Sequence, residues 1–116
     1  MPAPPVPPDP GHLDVFTAPG TPACAVTVRG DVDSVTAAGL RDHLLEVLGH
    51  PGVRTVELDL TAVTFLDSAG LTALVAVHRA AEGAGQSLCV RCGTARAVRR
   101  PLEITGLAGV LTIVDP

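Results

Sequence analysis

VELDLTAVTFLDSAGL, residues 56–71, carries the strongest structural signal in the chain. Val56, Leu58 and Leu60 alternate with Glu57 and Asp59, the period-two pattern of a strand with one buried face. The pattern predicts a strand over residues 54–60 and then a short turn. Asp67 and Ser68 stand directly before a long apolar, alanine-rich run, so a helix is expected over residues 69–84, stopped by Gly83 and Gly85. Asp and Ser both cap helix N-termini, which places Ser68 at the helix mouth. A hydroxyl there lies beside free backbone N–H groups and the positive end of the helix dipole, an environment that accepts a phosphate. Ser68 is thus either a cap or a switch.

Strand and helix signals alternate on both sides of this segment. Strands are expected over residues 13–17 and 24–29, with a turn at Ala18-Pro19-Gly20-Thr21-Pro22 between them. Leu40, Leu44, Val47 and Leu48 recur at helical spacing within residues 35–48, before Gly49. A strand over 87–91 follows, then a helix over 94–107 that Pro101 should kink or split, and a closing strand over 110–114. This order predicts an α/β domain with a mixed, mostly parallel sheet and right-handed crossovers. Residues 1–11 hold six prolines and no apolar periodicity, and read as a disordered or polyproline-type tail ahead of a single domain over 12–116. An inert extension is favoured over a proline-rich ligand, since no partner groove is implied.

Composition narrows the function classes. The chain has 116 residues, 47% of them hydrophobic, enough for one domain with a real core. Phe16 and Phe65 are the only aromatics, so packing must come from aliphatic side chains, and no stacking platform for single-stranded nucleic acid exists. A net charge of −4 also speaks against a nucleic-acid surface. No signal peptide is evident, and the longest apolar run, residues 69–77, is too short to span a bilayer, so no membrane association and a cytoplasmic location are expected.

Other candidate sites are weaker. Asp31 with Asp33, and Asp59 with Asp67, invite a metal reading, but nothing fixes the several convergent oxygens that a divalent cation needs. Asp33 with Ser34 is the better candidate to cap the first helix. Cys89 and Cys92 form a CxxC, yet Cys89 falls inside a strand rather than at a helix N-terminus, and no second pair exists for zinc. His78 reads as a packed histidine on the second helix. Arg96, Arg99 and Arg100 read as a solvated helix face, with an acidic partner patch second. No nucleophile elbow or phosphate-binding Gly-rich loop is present, so neither an enzyme nor a bound cofactor is expected.

Three segments in register carry a specific resemblance: VRGDVDSVTAAGLRDHL (28–44), the Asp-Ser-Ala-Gly-Leu element after its LDL strand, and LEITGLAGVLTI (102–113). In this order they resemble a STAS domain of the bacterial anti-sigma factor antagonist type, over nearly all of the folded part. The resemblance implies a single STAS-type domain: a mixed, mostly parallel four- to five-stranded sheet with three or more helices. It implies a regulator that binds an anti-sigma factor of the serine-kinase type and so frees a sigma factor. The kinase phosphorylates one serine, here Ser68, which ends the interaction, and a serine phosphatase reverses it. Ala69 stands where the family often has a second serine. Asp31, Asp33, Ser34, Thr36, Asp67, Ala69, Gly70 and Leu71 are the expected partner-binding residues, with Gly70 letting another backbone approach the serine. The alternative is a STAS subunit of a stress-signalling or lipid-transport assembly.

Removal of residues 1–11 is expected to change neither melting temperature nor partner affinity, because the proline run has nothing to add to a core. Parallel melts and titrations of truncated and full-length protein check this. A tenfold loss of affinity, about 1.4 kcal/mol, would make the run a second binding element.

Overall fold

The alternation seen in the sequence becomes one buried sheet face. Val26, Val28, Val56, Leu58, Leu60, Leu88 and Val90 are each no more than 1% exposed. The computed structural model describes residues 13–114, so the proline-rich segment read as a tail lies outside the described residues. Within them run β1 (Leu13–Ala18), β2 (Ala23–Val32), α1 (Ala37–Leu48), β3 (Thr55–Leu66), α2 (Ser68–Gly83), β4 (Ser87–Arg91), α3 (Arg96–Thr105), a 3-10 turn (Leu107–Gly109) and β5 (Thr112–Ile113). The five strands lie in sequence order, β1 antiparallel to β2 and every later pair parallel. This is the mixed, mostly parallel α/β sheet that the sequence predicts.

Helices α1 and α2 pack side by side against the sheet. Leu40, Leu44, Leu74, Val77 and Ala81 close the core against the strand residues above. Burial of each Leu or Val contributes about 1.5–3 kcal/mol, so this aliphatic layer dominates the fold's stability. His78 joins the packed side of α2, with Nε2 3.1 Å from Glu82 Oε1 one turn on. Cys24 and Cys92 are buried, Cys89 is half-buried in β4, and no two of the three are joined in a disulfide. The other sheet face is polar and open: Thr27, Arg29, Glu57 and Arg91 are exposed.

Several boundaries differ from the sequence reading. The largest difference is β3, which does not turn after Leu60 but runs on to Leu66. Thr27 faces Asp59 while Arg29 faces Ala62, and Gly30 faces Val63 while Asp31 faces Phe65, so β3 takes one extra residue at each of two bulges. The bulges change the buried positions from a spacing of two to Leu60, Val63 and Leu66, which in sequence resembles a turn rather than a strand. Gly30 supplies the φ of 111° that the partner strand needs there. β4 pairs with β3 only from Thr55 to Asp59, which leaves the far end of β3 for α3.

Pro101 does not split α3: the helix runs through it, burying Val98 and Leu102, and ends at Gly106 with φ 75°. The second of this helix's three arginines, Arg99, turns back to donate from Nε to the Gly93 carbonyl, so it leaves the face that Arg96 and Arg100 share. The final strand shortens to two residues.

Val63→Asp is expected to unfold the domain or lower its melting temperature steeply. An uncompensated carboxylate at a 3%-exposed strand position costs on the order of 3–5 kcal/mol. A near-native thermal melt would mean that residues 61–66 are the surface turn read from the sequence.

Candidate functional site

The far ends of β2 and β3 and the first turn of α2 meet at one rim. Asp67 alone connects β3 to α2, and its backbone N–H donates to the Val32 carbonyl at 3.2 Å. Asp67 is extended (φ −104°, ψ −171°) and its Oδ1 accepts from the Gly70 N–H at 3.1 Å, so Asp67 is the helix cap. Of the two roles that the sequence leaves open for Ser68, cap or switch, the cap therefore falls to Asp67 instead. Ser68 is the first helical residue; its side chain points to solvent, and only its carbonyl is engaged, by the Thr72 hydroxyl at 2.9 Å. A carboxylate one residue upstream has taken the capping role, because it reaches the N–H of Gly70 from the extended position that a cap requires.

Gly70 has an internal reason rather than the expected external one. A Cβ there would lie 2.5 Å from Leu66 Cδ1, 2.8 Å from Val32 Cγ1 and 3.0 Å from the Val32 carbonyl. The backbone that approaches Gly70 is this chain's own β2. Gly70 and Leu71 are buried and Ala69 is half-buried, so of the Asp-Ser-Ala-Gly-Leu element Ser68 is the part most open to a partner. Leu71 still reaches the wall of a shallow groove of about 410 Å³ with Ser68, Thr72, Val75 and Arg79.

The turn from β2 to α1 completes the rim. Asp33 Oδ1 accepts from the Val35 and Thr36 N–H groups at 2.9 and 3.2 Å. The Thr36 hydroxyl accepts from the Asp33 N–H at 3.0 Å and donates to the Asp31 carbonyl at 2.7 Å. The Thr64 hydroxyl donates to Asp31 Oδ1 at 2.8 Å, which ties this turn to β3. Residues 33–36 form a tight turn, so α1 begins at Ala37, two residues later than expected; Asp33 caps the turn that leads into it, its carbonyl accepting from the Ala37 N–H at 2.8 Å, while Ser34 adds no cap. Asp31, Asp33 and Thr36 are half-buried and hold the turn, whereas Ser34 and Val35 face solvent. Val35, 77% exposed, is a surface residue that the sequence reading missed; an apolar side chain between Ser34 and Thr36 was the available signal. The structure brings Asp31, Asp33 and Asp67 to one rim but not Asp59, whose Oδ1 accepts from the Thr61 N–H and hydroxyl. Among the described residues no three His, Cys, Asp or Glu side chains are arranged to hold a metal ion.

Chemically, the rim presents one exposed serine hydroxyl at a helix start. The Gly70 and Leu71 N–H groups are taken by Asp67, while those of Ser68 and Ala69 precede the first intrahelical bond. An anion on Ser68 would find those donors and the positive end of α2.

Known proteins resemble this chain in sequence and in fold. The family profile described as "Mlab, STAS domain" matches residues 17–114. The anti-sigma-F factor antagonist RsfB of Mycobacterium tuberculosis is 34% identical over 101 residues, covering 84% of this chain and 78% of that protein. The crystal structure of an anti-sigma factor antagonist from Mycobacterium paratuberculosis superposes with a TM-score of 0.80 at 28% identity, over 91% of this chain and 88% of that one. SpoIIAA of Bacillus, in its phosphorylated form, shares the fold with a TM-score of 0.68 at 14% identity, over 89% of this chain and 91% of that one.

Asp67→Ala is expected to cost about 1 kcal/mol through loss of the cap, while Ser68→Ala costs little, because its hydroxyl caps nothing. Urea or thermal melts of the two variants check this. An equal loss for both would return the capping role to Ser68.

Proposed function

The chain belongs to the STAS domain family, and from that membership we propose that it is an anti-sigma factor antagonist whose binding surface is the rim around Ser68. It is a regulator rather than an enzyme: it binds an anti-sigma factor of the serine-kinase type, releases the sigma factor, and is switched off when Ser68 is phosphorylated. A serine phosphatase resets it. The observation that carries the reading is the freedom of the Ser68 hydroxyl. Asp67 caps α2, so the serine can be modified without unmaking the helix.

The switch follows from charge and position. Transfer of the γ-phosphoryl group of ATP to Ser68 Oγ releases ADP and the hydroxyl proton, and adds roughly −1.5 to −2 charges. Within the protein the added charge meets the start of α2, where the dipole and the Ser68 and Ala69 N–H groups favour it. The fold of SpoIIAA, which exists in a phosphorylated form, is consistent with that tolerance. Toward a partner, the same charge adds to Asp31, Asp33 and Asp67. A surface complementary to the unmodified rim then meets new bulk and excess negative charge, which weakens binding without unfolding anything. Similarity to RsfB along most of both chains favours this reading over a STAS subunit of a stress-signalling or lipid-transport assembly.

Incubation with the cognate anti-sigma factor and ATP is expected to place a single phosphate on Ser68. In calorimetric titrations Ser68→Ala should keep binding and Ser68→Asp weaken it, both remaining folded. Mass mapping that finds phosphate on Ser34, Ser87 or any threonine, with Ser68 unmodified, overturns the proposal.

A further inference from the structure

The chain has two aromatic side chains, and neither is in its core: Phe16 is 56% exposed and Phe65 49%. Phe65 stands on the bulged end of β3, and the groove between this end and α3 sets it beside Ile104, itself 73% exposed, with Pro101 along the wall. Arg96 and Arg100 line the same groove. The two arginines are one helical turn apart and exposed. Like charges at this spacing disfavour the helix that carries them, so α3 gains nothing from the pair. Among the described residues neither guanidinium enters a hydrogen bond or an ion pair, in contrast to that of Arg99 on the same helix. A Phe–Ile patch flanked by two unpaired guanidinium groups is therefore unexplained by folding. Exposed aromatics and arginines are also the residues that most often dominate the energetics of protein interfaces.

Its position relates it to the rim. Phe65 is opposite Asp31 in the β2–β3 register, the neighbouring Thr64 hydroxyl donates to Asp31 Oδ1, and Phe65 precedes Ser68 by three residues. The surface is thus continuous and bipolar: acidic at Asp31, Asp33 and Asp67, apolar at Phe65 and Ile104, basic at Arg96 and Arg100. We propose that Phe65, Ile104, Arg96 and Arg100 form a second docking element that takes an acidic segment of the anti-sigma factor bearing an apolar side chain; this rests on the reading of the chain as an antagonist. Charge complementarity selects that occupant. A guanidinium pair in a chain of net charge −4 is a local exception that pairs best with carboxylates. An anionic membrane would meet the acidic rim next to the patch and be repelled by it. A two-ended charge pattern also orients the partner, because turning it end for end sets like charges against each other at both ends.

The test titrates full-length, unphosphorylated protein with its cognate anti-sigma factor at low and high salt. Phe65→Ala and Ile104→Ser are each expected to weaken binding by about tenfold, the effect of truncating an interface anchor. The double variant Arg96→Glu with Arg100→Glu should weaken it by at least about tenfold and flatten its salt dependence. Ile104→Ser touches a position outside the core, so its result stands even if Phe65→Ala lowers the melting temperature. Binding of all these variants within about twofold of wild type, while Ser68→Asp binds weakly, overturns the second element and leaves the antagonist reading intact. Absence of binding by wild type itself, or equal binding by Ser68→Asp, fails that reading first and the docking element with it. Salt-sensitive self-association of wild type, or its binding to phosphatidylglycerol vesicles, that is lost in the double variant assigns the patch to another occupant and also overturns the proposal.

Discussion

Everything at the candidate site depends on a close approach that a single methyl group would prevent. The first turn of α2 lies against Val32 and Leu66 so tightly that a Cβ on Gly70 would stand 2.5 Å from one and 2.8 Å from the other. Overpacking of that kind typically costs 1–3 kcal/mol, about the size of a helix cap. The contact joins the ends of two strands to the start of a helix, and the Asp67 N–H to Val32 carbonyl bond closes the same junction. Because of it the β2–α1 turn and the mouth of α2 form one surface instead of two loops that move separately.

That junction also divides roles between neighbouring residues. Asp67 is half-buried and its carboxylate holds Gly70, so its contribution is to stability. Ser68 is exposed and its hydroxyl holds nothing among the described residues. The same division recurs across the rim, where Asp33 and Thr36 bind one another's backbone and side chain while Ser34 and Val35 between them face outward. A loop pinned by its own hydrogen bonds loses less conformational entropy on binding than a free one. Rigid flanks with a free side chain between them suit a site that must be recognised and chemically changed.

The core and the surface also divide the side chains by type. Leu, Val and Ala fill the layer between sheet and helices, and the large aromatics are left outside it. An aliphatic layer of this kind gives the domain stability without spending either Phe on it. On a chain with so few aromatics, an exposed one beside unpaired arginines is a surface feature that packing does not account for.

Much was legible in the linear chain. Period-two alternation at residues 56–60, 24–28 and 87–91 and period-3.6 spacing in α1 and α2 reflect burial of one face of each element, a local property that needs no knowledge of neighbours. The element order, the mostly parallel sheet and the helix start next to Ser68 follow from it. The length of β3 did not. Its residues 61–66 are extended only because β2 pairs with them through two bulges, and a bulge is a property of two strands together. The assignment of the cap to Asp67 rather than Ser68 required the backbone dihedrals at the β3–α2 junction, since both residue types cap equally well in isolation. The need for Gly70 came from β2 lying across its path, and the pairing of Phe65 with Arg96 and Arg100 from α3 packing against a strand some thirty residues earlier. Patterns within one element can be read from the chain because they repeat with its geometry; which elements touch, and which side chain a contact frees, is set by packing across distances that sequence spacing does not encode.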